Sequence, residues 1–297
     1  MKYFKTEASR TAERYIITSE SFKEHTKHRY PFEQITTKGT LTQYGICPSC
    51  LNPIQLIGVS HKIKISPHGK HTGHQIVGFP DWNYRRYVYC PYARNGAYIE
   101  PNDRDLLPDI DQNVIDLYDL LREQFDRVVY LIHKKFHVRC SDYFWREALN
   151  RYVANRVYCY PWLTEANLPY IFALRGMQQA NCYKQHFEVN SDIYNALSKH
   201  PHVAWADSVY QGYQILQNNG KYFNLVFRLT DHQQKAHEGE ELKESILFCI
   251  DDNITRQPVY QERIEIDETF FMNLIHANRG FRNQELLQIA ANEMPPL

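Results

Sequence analysis

Gly45–Arg94 reads GICPSCLNPIQLIGVSHKIKISPHGKHTGHQIVGFPDWNYRRYVYCPYAR, and the rest of the chain is organised around it. It holds three of the seven cysteines and four of the fourteen histidines. Cys47-Pro48-Ser49-Cys50 is a C-x-x-C knuckle, in which two thiolates on one tight turn can both reach one ion at about 2.3 Å. Pro48 and the Gly45 lead-in suit a turn between short strands. A tetrahedral site needs two more ligands. Cys90, in Tyr89-Cys90-Pro91-Tyr92, is the natural third. The fourth comes from His61, His68, His71 or His74. The last three recur every third residue, and Gly69 and Gly73 argue against a long helix that would put them on one face. The central His71 is preferred, with His74 and His68 next. The expectation is Zn²⁺ held by Cys47, Cys50, His71 and Cys90. The competing reading is a small core of reduced cysteines among solvated histidines.

Composition bounds the remainder. The 297 residues suffice for one large domain or two ordinary ones, and 43% hydrophobic residues can build a real core. Seven cysteines make an odd set without a regular disulfide framework, which points to a reducing, cytoplasmic setting. The start of the chain, Met1–Glu7, has no apolar signal-like region, and no apolar run approaches the ~18 residues of a membrane span, so no membrane association is expected. The net charge is zero but unevenly spread: residues 1–94 carry 14 Lys and Arg against 6 Asp and Glu, and residues 95–297 carry 20 against 28. A basic end on an otherwise acidic chain points either to a polyanion or to attraction between the two parts.

Turn residues cluster over Asn95–Asp111, where the charge changes sign. This places a boundary near residue 105. Residues 1–104 form an arm and a basic zinc-binding module of short strands, and residues 105–297 form a larger acidic α+β domain. In the module, Tyr15-Ile16, Ile54–Gly58 and Lys62–Ser66 read as strands, and Tyr30-Pro31 reads as extended chain. Val114, Leu117, Tyr118, Leu121, Phe125, Val128 and Ile132 follow helical steps, with Asp109 or Asp111 as cap and His133, Lys134 and Lys135 at the C-terminal end. A second helix is expected over 142–158. Pro169 breaks the segment after it, and a short helix ends before Pro201. From Val203 the pattern turns to strands over 222–229, 245–250 and 259–266, separated by an acidic loop. Two helices close the chain, over 268–278 and 283–292. Helices followed by a small sheet define an α+β class.

Function follows from the basic module. Trp82-Asn-Tyr-Arg-Arg-Tyr interleaves aromatic rings with Arg85 and Arg86, the composition of a surface that stacks bases and pairs phosphates. Trp82, Arg85, Arg86 and Tyr87 are the candidate nucleic-acid contacts, although aromatic residues also fill the small core beside a zinc site. The leading expectation is a zinc-stabilised protein that binds nucleic acid or a partner that handles it. Two alternatives stand beside it. The order His71, His74, Asn83 after a C-x-x-C knuckle resembles HNH-type nucleases, which implies a histidine that activates water beside a catalytic metal. The stretch after Asn83 lacks their second cysteine pair, and no Asp-His dyad precedes. The other alternative is a protein–protein scaffold without catalysis. Asp251-Asp252 at the end of an apolar strand resembles a Mg²⁺-binding pair but lacks the adjoining acid-x-Lys, and it also reads as a turn. Cys140, Cys159, Cys182 and Cys249 sit among apolar residues and read as packing.

Overall fold

The computed structural model describes residues 1–10, 12–60, 66–93, 98–102, 104–235, 242–267, 269–277 and 282–297. The chain is of mixed helix and sheet, with four small antiparallel sheets among the described residues. It divides into two compact units, Met1–Asp105 with Gln233–Glu244, and Leu106–His232 with Ser245–Leu297.

The first unit is built on a four-stranded sheet in the order β3 (Glu33–Ile35), β4 (Leu41–Ile46), β5 (Pro53–Ile57), β6 (His68–His71). Two shorter strands, β1 (Tyr3–Phe4) and β2 (Tyr15–Ile16), pair with each other, and α1 (Ser19–Thr26) follows them. Thr18 caps α1 by accepting from Ser21 N at 3.1 Å. The expected extended dipeptide Tyr30-Pro31 is instead a cis peptide within a turn. Alternation along β4 gives the sheet two apolar faces. Tyr44 and Ile46 pack with Leu51, Ile76 and Phe79. Phe4, Ile17, Phe22, Ile54 and Leu56 pack with the three cysteines of the N-terminal stretch. Gly45 lies on that second side, where a Cβ would come within 2.9 Å of the Phe4 ring. The expected strand over 62–66 and the candidate ligand His61 lie outside the described residues, except Ser66, which precedes β6.

The second unit carries most of the helix. Asp111 starts α3 (Gln112–Glu123) by accepting from Asn113 N and Val114 N at 3.0 and 3.1 Å. The single helix expected from the apolar steps is two helices, because the backbone leaves helical geometry at Gln124 (φ −115°, ψ 19°) before α4 (Phe125–Phe136). Leu121 and Phe125 keep their four-residue spacing, so periodicity alone does not register the break. A distant residue makes the break tolerable: Arg282 donates to the freed Glu123 carbonyl at 2.6 Å and to the buried Asp126 carboxylate at 2.8 and 3.0 Å.

The strand β7 (Val138–Arg139) follows, then α5 (Asp142–Ala154), which stops at Asn155, short of the expected 158. A single 3₁₀ turn takes Val157–Cys159. Pro169 does not break the next segment. It lies in the first turn of α6 (Leu168–Gly176), where its missing N–H has no helical partner to lose. Next come β8 (His186–Glu188), α7 (Asp192–Leu197), β9 (Val203–Asp207) and β10 (Tyr213–Asn218), and β7-β8-β10-β9 form one sheet. Strand pairing therefore begins at Val138, well before the expected change at Val203. The remaining sheet is β11 (Leu225–Lys235), β12 (Lys243–Asp252) and β13 (Gln257–Glu265), and α8 (Phe270–His276) and α9 (Gln284–Glu293) close the chain.

Aromatic edges knit this unit together. Phe125 meets Phe172 at 5.5 Å and Trp145 at 6.1 Å, and Phe136 meets Phe248 of the sheet at 4.9 Å. The carboxylates Asp251 and Asp252 are both engaged: Asp251 pairs with Arg228, and Asp252 accepts from Ile254 N and the Thr255 hydroxyl at 2.9 Å each. Cys140, Cys159, Cys182 and Cys249 are buried.

His133 on α4 sets a pH dependence. Its Nε2 is shut away from water with no hydrogen-bond partner among the described residues, and burial, reinforced by the Arg139 charge, pushes its pKa from 6.5 down to about 3. Above pH 6.5 both folded and unfolded chains carry it neutral. As pH falls from 6.5 towards 3 the unfolded chain takes a proton that the folded one refuses, so stability is lost over that window. Urea unfolding of His133→Phe at pH 7 and pH 4 is expected to lose less stability across the interval than the parent. A parent and variant with the same pH slope exclude this role.

Candidate metal centre

Three parts of the first unit deliver one side chain or pair each to a common point. The β4–β5 hairpin turns through Cys47–Asn52, closed by Cys47 N donating to Asn52 O and Leu51 N to Cys47 O, both at 2.9 Å. Leu51 takes the left-handed conformation this turn demands (φ +60°). Strand β6 pairs with β5 so that His71 stands opposite Ile54, close to the hairpin tip. Helix α2 (Tyr84–Val88), capped by Asn83 accepting from Arg86 N at 3.0 Å, leads into Cys90, whose N–H donates to Tyr87 O at 3.0 Å.

The result brings Cys47, Cys50, His71 and Cys90 together. Their ligand atoms lie within 4.8 Å of one another, all buried, and the cluster can hold a metal ion. Cys47 and Cys90 Sγ are 3.8 Å apart, and His71 Nε2 is 3.1 Å from Cys50 Sγ and 3.7 Å from Cys90 Sγ. Strand parity separates the histidines: His68 and His71 are three apart on β6, so they point to opposite faces. His68 Nδ1 meets Ser66 O at 2.9 Å, and the exposed His74 meets Thr72 O at 3.0 Å.

The surroundings orient the ligands. His71 Nδ1 lies 3.2 Å from the Tyr92 carbonyl. A carbonyl only accepts, so Nδ1 carries the proton and Nε2 presents its lone pair to the sulfurs. Asn52, 1% exposed, donates from Nδ2 to Cys50 Sγ at 3.5 Å and to Asn83 O at 3.0 Å, and it accepts from Asn83 N at 2.7 Å. One amide thus ties the knuckle to the start of α2. Burial on its own raises the Cys50 thiol, but hydrogen bonds with Cys47, Cys90 and Asn52 bring it well below the ordinary range. Burial, with the neighbouring Cys47 and Cys50, pushes Cys90 well above it. Three thiols this close cannot all ionise without a cation between them.

The candidate nucleic-acid contacts separate. Tyr87 is buried with its ring edge-on to His71 at 5.3 Å, and Trp82 packs on Tyr87 at 5.6 Å. Arg86 is half-buried, and Arg85 is exposed. Tyr84, which spacing did not single out, is 62% exposed. Asn83, third in the nuclease-like order, serves as helix cap and partner of Asn52. Asn52 and the Tyr92 carbonyl also escaped the spacing argument, because an amide and a main-chain oxygen carry no ligand signature.

The chain matches no family model, no curated protein and no solved structure. No helix among the described residues is long and apolar enough to cross a membrane.

Replacing Asn52 by leucine keeps the branched heavy-atom skeleton and removes the amide, and is expected to weaken metal binding about ten- to a hundredfold with all four ligands in place. Competition against a chromophoric chelator measures this. Cys90→Ser is expected to abolish stoichiometric metal, whereas Cys140→Ser leaves the metal content at the parent value.

Proposed function

We propose that the first unit is a zinc-stabilised binding module whose ligand is nucleic acid or a protein that handles it. The observation that supports zinc is the ligand geometry. Sulfurs about 2.3 Å from a tetrahedral ion stand about 3.8 Å apart, and the Cys47–Cys90 separation is 3.8 Å. Three thiolates and an imidazole favour zinc over the oxygen-seeking Mg²⁺ and Ca²⁺. Four protein ligands leave no coordination position for a substrate, which favours a structural over a catalytic ion.

The binding part of the proposal rests on α2. Its inner residue, Tyr87, packs on the ligand His71, and the chain leaving the helix delivers Cys90. Its outer residues, Tyr84 and Arg85, face solvent. A metal-anchored turn presents an aromatic ring and a guanidinium in fixed geometry, so little conformational entropy is lost when a base stacks and a phosphate pairs. The excess of 14 basic over 6 acidic residues in 1–94 favours a polyanion.

Elemental analysis is expected to find about one zinc per chain, and a folded, metal-free protein excludes the zinc reading. Gel shifts across a salt series are expected to show affinity for single-stranded oligonucleotides that falls linearly with log salt. Arg85→Ala then lowers the slope by about one phosphate contact, and Tyr84→Ala weakens binding with the slope kept. Unchanged binding in both folded variants removes nucleic acid from this surface.

A further inference from the structure

One sheet of the second unit carries a cation that has no ion-pair partner among the described residues. Strand register sets Arg139 of β7 opposite His186 of β8, and Glu188 of β8 opposite Tyr213 of β10. Residues directly opposite or two apart share a face, so these four stand together, while Val138 and Phe187 turn the other way into the core. The Arg139 guanidinium lies over the Tyr210 ring at 4.8 Å and over the Tyr213 ring at 5.0 Å. The rings stabilise its charge without using its N–H donors. Arg139 makes no hydrogen bond or ion pair among the described residues, and its Nε is shut away from water. Glu188, an acid of the same face, is held by His137 at 2.7 Å.

Hydrogen bonds hold this arrangement in place. Ser208 Oγ accepts from Tyr210 N at 3.0 Å and lies 2.8 Å from His186 Nδ1. Tyr213 N donates to Tyr210 O at 3.2 Å, and Val189 N, just past β8, donates to Gly212 O at 2.8 Å. The turn that carries Tyr210 is thereby tied to the strand that carries His186. Burial first, and then the Arg139 charge, hold the half-buried His186 below its ordinary pKa, so the ring is neutral at pH 7. We infer that Arg139, with His186 beside it, is a binding site for a phosphate group. The two Nη groups of a guanidinium form a fork that matches two phosphate oxygens. With the Ser208 hydroxyl donating to Nδ1, His186 Nε2 carries the ring proton and is the third donor. A planar carboxylate is used up by the fork, whereas a phosphate has a further terminal oxygen for the imidazole. The Tyr210 ring, 40% exposed, offers a stacking surface to an aromatic ester. The site lies in the second unit and is independent of the zinc and oligonucleotide readings of the first.

Full-length parent, Arg139→Gln and Arg139→Lys are titrated with inorganic phosphate, phenyl phosphate and acetate at constant ionic strength in chloride. The readout is the His186 imidazole signal by NMR, assigned by its loss in His186→Gln. Inorganic phosphate is expected to shift that signal saturably in the parent. Arg139→Gln is expected to weaken binding about ten- to a hundredfold, the worth of one hydrogen bond to a charged group. Arg139→Lys is expected to recover only part of that loss, since lysine keeps the charge and loses the fork. Tighter binding of phenyl phosphate than of phosphate assigns an aromatic ester, and equal or weaker binding assigns the free anion; both uphold the site. Acetate that binds as tightly as phosphate overturns the phosphate assignment. A signal that phosphate does not shift, or equal affinity in the parent and a folded Arg139→Gln, overturns the site. Should Arg139→Gln fail to fold, the parent decides alone: phosphate is expected to protect Arg139 from phenylglyoxal, read by peptide mass mapping, and an unchanged rate of modification overturns the inference.

Discussion

Three cysteine sulfurs and an imidazole converge on one buried point, and the first unit depends on how that convergence is stabilised. Thiolates this close repel one another, and burial withdraws the water that would screen them. A single cation held by the cluster would reverse the sign of that interaction and tie the elements together. The elements it joins are individually marginal: a hairpin turn, a four-residue strand and a helix of five residues. Helices that short do not persist alone in water. The apolar clusters on the two faces of the sheet are small, so the ligands supply the long-range contacts that a larger core would otherwise provide.

The second unit reaches order by a different route. Its helices and sheets bury a continuous set of large aromatic and aliphatic side chains, with Trp145, Tyr152, Phe125 and Phe172 almost fully enclosed. Its buried or half-buried acids answer structural needs. Asp126 gathers Arg282 and the N–H of Asn283 where α9 begins, and Asp251 pairs with Arg228. An acidic pair at a strand end can serve a catalytic metal, but these carboxylates are already engaged by a guanidinium and by a turn. The same residue types serve chemistry or architecture according to what the fold places beside them.

The Cys47/Cys50/His71/Cys90 cluster meets helix α2 where Tyr87 packs edge-on to His71. Tyr87 packs on His71 from the inner side of that helix, and Tyr84 and Arg85 are exposed on its outer side.

Spacing alone identified the knuckle, because two thiolates in one turn are a local fact that needs no tertiary information. The amphipathic steps of 114–132 were legible for the same reason: burial of a helix face follows from a repeat of three and four residues. Other features waited on the tertiary structure. The choice of His71 over His68 follows from β6 being a strand, which puts residues three apart on opposite faces, and the sequence around Gly69 carries no clear strand signal. The break at Gln124 depends on Arg282, and the tie between knuckle and α2 depends on Asn52 meeting Asn83. The inward turn of Tyr87 depends on where His71 stands. Sequence by itself determined which residues can ligate and which faces must be buried, since both are properties of side chains a few positions apart. Only the tertiary structure decided which of them meet, because those contacts are set by pairing and packing between residues tens of positions apart.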